Sequence, residues 1–435
     1  MLQWREIPPV LLLVGLTLAC SPGGDAGPGA APLNRRDSAG IVITENAAPA
    51  WQRGQPWQID TMPEIVIGAT SLASGRADGS DRAATEPVLL QHVQALVVLP
   101  DGRIVVADQR AAEVMVFDST GSLVARFGGR GQGPGEFPQI VDVHVCGDDS
   151  IAVAADRFHL HIFDDQGGFA RRIEFRPGGT LVAVSTDCRR LLIQQTVSNS
   201  SPPLGSWGRT EQRFVWFDPT SQAVDTVTSA RLLEGWTRVL YGEERPFVIP
   251  WGTGATTYAM RGDTLVLGYG RVPELRAYDA TGALRWVTRW SQQPRPVTRL
   301  DRQHYTDVRR EWLAAMPPDP ETRFLFPELD EYPGLPSEKP LFDSLLVDDG
   351  GGVWVRHFPE NSFGLFDRRL REQERFRQTW TVFDVTGRWL GDLTLPDRFD
   401  LRAVARGRLY GVATDALDVE TVQVLLIRGL AGSSQ

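Results

Sequence analysis

Phe117-Asp118-Ser119-Thr120-Gly121 is the first of five copies of one short pattern: an aromatic residue, Asp, two residues, then usually Gly. The others are Phe163-Asp164-Asp165-Gln166-Gly167, Phe217-Asp218-Pro219-Thr220-Ser221, Tyr278-Asp279-Ala280-Thr281-Gly282 and Phe383-Asp384-Val385-Thr386-Gly387. Each stands between two runs rich in β-branched and aromatic residues, so each reads as strand, tight turn, strand. A unit that recurs along most of a chain marks a repeat architecture.

A second series is independent of the first. Six polar or Gly-bearing turns lead into β-branched runs at Asp101-Gly102-Arg103-Ile104, Asp149-Ser150-Ile151, Arg190-Leu191-Leu192, Asp263-Thr264-Leu265, Gly352-Val353-Trp354 and Arg408-Leu409-Tyr410. An apolar run precedes each. Two hairpins per unit, six times, predict an all-β six-bladed β-propeller of four-stranded antiparallel blades. The sixth unit runs out of chain after its third strand, over 420–427. The orphan segment from Trp57 to Gly68 is expected to supply the missing outer strand, closing the ring and removing an open edge. Blades stack face to face, so the periodic Phe and Tyr residues are core by default.

Composition agrees. The 435 residues are 42% hydrophobic with 43 Gly and 30 Pro, as many short strands and turns require. A net charge of −9 argues against a nucleic-acid partner, which needs clustered positive charge. Lys339 is the one lysine.

Residues 1–20 read as a signal peptide: Arg5 leads into an apolar run from Pro8 to Ala19 that is too short to span a bilayer. Leu16-Thr17-Leu18-Ala19-Cys20 resembles the bacterial lipobox, departing from it at Thr17 and Leu18. That resemblance implies lipidation at Cys20 and, with Ser21 following, sorting to the outer membrane of the cell envelope. Residues 21–56, rich in Gly, Pro and Ala, are expected to be a flexible tether, and 57–430 the propeller. Pro100 to Asp108, Val116-Phe117-Asp118 and Gly131-Gln132-Gly133-Pro134-Gly135-Glu136-Phe137 resemble an NHL-type repeat of bacterial six-bladed propellers. Trp380 to Asp384, Trp389-Leu390-Gly391 and Leu417 to Glu420 look like the C-terminal part of a group of envelope propeller lipoproteins. The resemblance implies fold and location and brings no activity with it.

Turn lengths point to one face. In an antiparallel blade the first-to-second and third-to-fourth turns share one end of the ring, and all of these are short. Every long insertion falls at the other end: 195–212, 231–255, 290–342 and 357–378. Variable loops on a rigid scaffold are where binding resides. Within 290–342, Thr298-Arg299-Leu300-Asp301 reads as a capping box with Asp for the usual Glu, opening an amphipathic helix whose stripe is Leu300, His304, Val308 and Trp312. Phe324, Phe326, Tyr332 and Pro333 follow as an aromatic rim.

No nucleophile elbow, phosphate loop or His-Glu-x-x-His spacing is present, so no catalytic residue and no metal set is assigned. Calcium, at acidic turns such as Asp148-Asp149 and Asp348-Asp349, is the one cofactor worth testing. Aligning the units places His92, Asp142, Thr180, Thr256, Ser344 and Arg402 around the channel mouth as candidate binding residues. Cys146 and Cys188 sit in equivalent turns of neighbouring units. An offset of two residues favours free thiols, while a disulfide is permitted outside the cytoplasm. The reading that follows is a lipid-anchored envelope propeller that binds a protein, small molecule or glycan through its decorated face. The alternative is a lactonase-like, metal-dependent hydrolase or lyase at the channel mouth.

Overall fold

The computed structural model describes residues 33–52, 57–68, 88–147, 149–176, 178–197, 207–240, 243–247, 256–315, 337–359 and 378–429. Among them are six sheets. The chain is a six-bladed β-propeller. The first blade is built, from the inside out, of Val93–Val98, Ile104–Asp108, Glu113–Phe117 and Leu123–Gly128. The inner strands of the next five begin at Asp142, Thr180, Thr256, Phe342 and Phe399.

The core is a set of six interfaces rather than one centre. Each of the six buried apolar clusters joins strands of two neighbouring blades. This is why the runs are apolar on both faces: Ile104, Val105, Val106 and Ala107 are all 1% exposed or less. Burying each large side chain contributes roughly 1.5–3 kcal/mol. Phe117, Phe163, Phe217 and Phe383, from four of the five repeated turns, are buried here.

The Asp of each turn has a different task. Asp118 Oδ1 accepts from Thr120 N at 2.8 Å and Ser122 N at 2.9 Å, and Asp279 and Asp384 repeat the pattern. The Gly then takes the left-handed conformation, at φ +89° for Gly121 and +77° for Gly387. The copy without Gly is one residue longer, and Gln222 goes left-handed in its place, at φ +59°.

The sixth blade closes as expected. Its third strand, Glu420–Arg428, pairs antiparallel with Gln58–Ile59 and Ile65–Ile67. The tether, however, does not extend to residue 56. Leu33–Ser38 and Ile41–Asn46 form a hairpin, and the second strand adds in parallel to Leu284–Trp290 at the outside of the fourth blade. The segment then crosses the fifth blade. Asn46 donates to the Gly387 carbonyl at 3.0 Å and accepts from Trp389 N at 2.9 Å. Trp51 packs on Gly391 and Trp57 on Trp354 before the ring is latched. The N-terminal stretch is therefore a strap over three blades.

The insertions at 195–212 and 231–255 meet in one arm. Trp207–Phe217 and Val224–Leu240 continue far past the length of a blade strand, and Glu243–Phe247 adds a third strand. The arm leaves from the end opposite the Asp218 turn. The helix Arg299–Ala315 lies in the crossover between blades four and five. Its cap is the one predicted: Thr298 N donates to Asp301 Oδ2 at 2.8 Å and Asp301 N to Thr298 Oγ1 at 3.2 Å. Its phase is not. Leu300 is 77% exposed and His304 is exposed, whereas Tyr305 is 5% exposed. Asp301 and Tyr305 share a helical face at i, i+4, and Asp301 is drawn inward by Lys339, whose Nζ lies 2.8 Å from Oδ1. The side chains of Val308 and Trp312, the rim from Phe324 to Pro333 and residues 360–377 lie outside the described ones.

Candidate functional site

The inner strands enclose an axial cavity of about 830 Å³, lined by residues of all six blades. Each blade's inner strand reaches the lining, at Leu96, Val143, Val182, Tyr258, Leu345 and Arg402, although Leu96, Val143, Val182 and Leu345 are themselves almost wholly buried in the seams between blades. The lining continues to the tight-turn end, at Pro100, Gly147, Thr186, Gly262, Asp349 and Arg406.

Of the six predicted channel-mouth residues, the cavity brings together Asp142 and Arg402. His92, Thr180 and Ser344 are not in its lining, and the side chain of Thr256 is outside the described ones. His92 lies at the seam between the first and last blades, its Nδ1 3.9 Å from Glu420 Oε1. For His92 and Thr180 the reason is register. Four inner strands carry one extra residue against their neighbour, at Gln94, Val182, Asp343 and Arg402, and a bulge moves every residue beyond it to the other face. Aligned from the turns, the units fall out of step before they reach the decorated end.

His144, Tyr258, Arg261, Asp348, Asp349 and Arg406 are the titratable lining residues that sequence reading did not assign to the channel. His144 Nε2 lies 3.8 Å from Asp142 Oδ2. Burial pushes the Tyr258 hydroxyl pKa up, and the nearby Asp142 charge pushes it further. Arg402 Nη2 is 2.9 Å from Asp400 Oδ2. Apolar walls with a few convergent polar groups are the usual make-up of a small-molecule pocket.

The acidic turn at Asp348-Asp349 is already engaged. Asp348 accepts from Gly352 N at 2.7 Å and Trp354 Nε1 at 3.0 Å, and Asp349 from Arg406 N at 2.7 Å. Asp148, of the other acidic pair, lies outside the described residues. Among those described, no three His, Cys, Asp or Glu side chains come together as a metal ion needs.

At the tight-turn end every pair of neighbouring blades is tied. Arg103 reaches Asp165 at 3.0 Å, Gly147 N donates to Thr186 O at 2.7 Å, and Thr186 N to Asp263 Oδ1 at 3.3 Å. Arg261 donates to Asp348 O, Arg406 N to Asp349, and Arg406 Nη1 to Pro100 O at 3.1 Å. Cys146 and Cys188 add a disulfide between blades two and three, with Cα atoms 5.6 Å apart. That separation is within bridging range, where the sequence offset favoured free thiols. Cys188 takes a left-handed φ of +55°, and this brings it back level with Cys146.

His159 and His161 lie two residues apart on the strand His159–Phe163 of the second blade. His159 is held by Asp156 at 2.8 Å, while His161, 3% exposed, is packed among Phe137, Phe163 and Phe169.

A family model described as a 6-bladed beta-propeller matches residues 84–158. No curated protein sequence matches the chain. A solved structure of a DUF4221-family protein from Bacteroides vulgatus is similar over 86% of this chain and 98% of its own, with a TM-score of 0.51 and 10% identity. A Bacteroides fragilis protein described as exported aligns over 89% and 99%, with a TM-score of 0.45 and 10% identity. A gluconolactonase from Xanthomonas campestris aligns over 78% and 88%, with a TM-score of 0.37 and 13% identity. At such identities the likeness concerns the fold alone.

Proposed function

We propose that this propeller is a binding module of the cell envelope, lipid-anchored at Cys20, which takes its partner on the decorated end of the ring. The observation that carries this reading is the asymmetry of the two ends. One consists of turns two to six residues long, tied blade to blade. The other carries the three-stranded arm and the capped helix. A scaffold fixed at one end, with long and irregular chain at the other, is the arrangement of binding surfaces in general. With the strap starting at Leu33, the spacer between anchor and ring is residues 21–32 rather than 21–56.

Photo-crosslinking in intact cells tests the reading. A benzophenone amino acid placed at Arg302 on the helix, or at Thr120 and Thr281 in the tight turns, reports which end meets another molecule. Adducts from position 302 and none from the turns support the proposal, whereas equal labelling from both ends defeats it. Anchoring is tested separately: Cys20→Ala is expected to move the protein from the membrane to the soluble fraction.

A further inference from the structure

Three loops at the decorated end set an arginine directly before an exposed apolar residue: Arg157-Phe158 in blade two, Arg271-Val272 in blade four and Arg299-Leu300 at the start of the helix. Phe158 is 46% exposed, Val272 45% and Leu300 77%. The carboxylate nearest each pair in sequence is already taken. Asp156 binds His159 at 2.8 Å, Glu274 binds Arg276 and Arg289 at 2.6 Å each, and Asp301 binds Lys339 at 2.8 Å. Arg157 and Arg299 are exposed, and no ion pair among the described residues engages either. Arg176, itself paired with Glu174, stands over the Phe158 ring, 5.4 Å from its centre. The tight-turn end is built the opposite way: its exposed apolar residues, Val224 and Val385, adjoin Asp225 and Asp384. At the decorated end Val141 and Leu417 also adjoin aspartates, Asp142 and Asp418, so the arginine pattern belongs to the three loops and not to the whole end.

We propose that these three loops rest on an anionic lipid surface, the leaflet in which Cys20 is anchored, so that the decorated end faces the membrane. The pairing of residue types suits an interface: the apolar side chain enters the headgroup boundary and the guanidinium meets a lipid phosphate. Single tips on separate loops suit a fluid surface, which closes around each of them. A folded partner needs a continuous, well-packed patch instead. The net charge of −9 does not oppose the contact, because charges farther than about 8 Å from the surface are screened at physiological salt. The entry of the tether agrees. Leu33 pairs with Asn46, whose carbonyl accepts from Ser291 N, the first residue of the crossover that carries the helix. From there residues 21–32 span at most about 40 Å, which keeps the loops within reach of the bilayer that holds Cys20 and makes the contact intramolecular. This inference rests on the reading of the decorated end as the binding end of a lipid-anchored module, and it names the partner.

The soluble Cys20→Ala protein makes the test, since it keeps the surface and lacks the anchor. It is mixed with vesicles of phosphatidylcholine alone, or of phosphatidylcholine and phosphatidylglycerol in equal parts. A bimane label is placed at Gln303→Cys, one helical turn from Leu300, or at Ser119→Cys in a tight turn. With Cys146 and Cys188 in a disulfide, each variant carries a single free thiol. Binding to the anionic vesicles is expected, with brominated lipid quenching the label at 303 and not the one at 119. Arg157→Gln combined with Arg299→Gln, checked for an unaltered unfolding midpoint, should weaken that binding roughly thirtyfold, and added salt should weaken binding of the parent. No binding to the anionic vesicles, equal quenching at the two positions, or a double variant that binds as well as the parent each overturns the proposal. Protein adducts from position 302 in intact cells, without vesicle binding, would leave the decorated end a binding surface and assign it a folded partner, so the two readings fail separately.

Discussion

At the tight-turn end of the ring, six short links join each blade to the next, and a disulfide reinforces the one between blades two and three. The aromatic-Asp turns at the same end repeat one design. At the other end the same six blades carry a helix, an extended arm and crossovers of unequal length. The contrast separates two tasks that one β-sheet edge performs poorly together. Repetition at one end makes the blades interchangeable units that can be locked in register. Freed from that duty, the opposite end tolerates insertion, because an added loop there costs only the slowly rising entropy of loop closure. Damage at the tight-turn end should therefore be global, and damage at the decorated end local.

The largest effect should come from the disulfide. Cys146 and Cys188 are 42 residues apart, and the chain-entropy account of such a loop gives about 4 kcal/mol, with roughly 2–4 observed in practice. Replacing both by Ser should lower the stability measured by urea unfolding by that amount, and dithiothreitol should reproduce the loss in the native chain. A double variant as stable as the oxidised parent would show that the tight-turn ring holds without this link.

Two glycines sharpen the contrast next. Gly387 is left-handed at φ +77° in the tight turn of blade five, and a Cβ there would run into the Thr288 hydroxyl under the N-terminal strap. Gly387→Val should cost about 2–4 kcal/mol, from backbone strain and displaced neighbours together. Gly129, in the crossover after blade one, has φ +134° but nothing within 4 Å of a built Cβ. Gly129→Ala should cost about 1 kcal/mol, from strain alone. Equal losses would mean that packing against the strap adds nothing.

These positions also show what a sequence can and cannot convey. The aromatic-Asp turns were legible because each needs a particular residue for a local reason: Asp to cap the turn, Gly to go left-handed, Phe to enter a seam. The latch from Trp57 to Gly68 was legible by counting strands. The hairpin at 33–46 was not, since its outer strand, Leu-Asn-Arg-Arg-Asp-Ser, is solvent-facing over 34–38 and shows no apolar period. Its one signal was Asp37-Ser38-Ala39-Gly40, where Ala39 and Gly40 are both left-handed and Asp37 accepts from Gly40 N. The channel ring was hidden for another reason: a bulge such as that at Arg402 is chosen by packing between blades, and period-2 counting cannot see it. The helix shows the same division, with a cap written locally and a phase decided by where Lys339 waits for Asp301.

That helix carries the local counterpart of the disulfide test. Asp301→Ala removes the acceptor for Thr298 N and the partner of Lys339. A lost cap of this kind costs about 1 kcal/mol. Here it should appear as faster amide exchange over 299–306, with the global unfolding midpoint unchanged. A shift of the midpoint comparable to that of the cysteine variant would show that the decorated end is part of the cooperative unit.

Acid separates the ends without any substitution. In the tight turns, Asp118, Asp218 and Asp279 are held below the ordinary carboxylate value of 3.8, chiefly by hydroxyl donors at Thr120, Ser221 and Thr281. A carboxylate depressed in the folded state stabilises it above the unfolded value, and that stabilisation is lost as pH falls through the folded one. Loss of stability should therefore set in below about pH 4 and be shared by several turns at once. His161 sets an earlier and smaller step. Burial among the phenylalanines, with Arg172 adding to it, holds its folded pKa below 6.5. The unfolded chain then binds a proton that the folded chain refuses. Its contribution is full above pH 6.5 and declines as pH falls toward the folded value. His161→Phe should flatten stability just below pH 6.5 and leave the acid limb in place. If the variant keeps the upper slope, the imidazole is not what titrates there. If instead the acid limb moves with it, the turns and the blade interior do not titrate independently, and the division between a locked end and a tolerant one loses its electrostatic support.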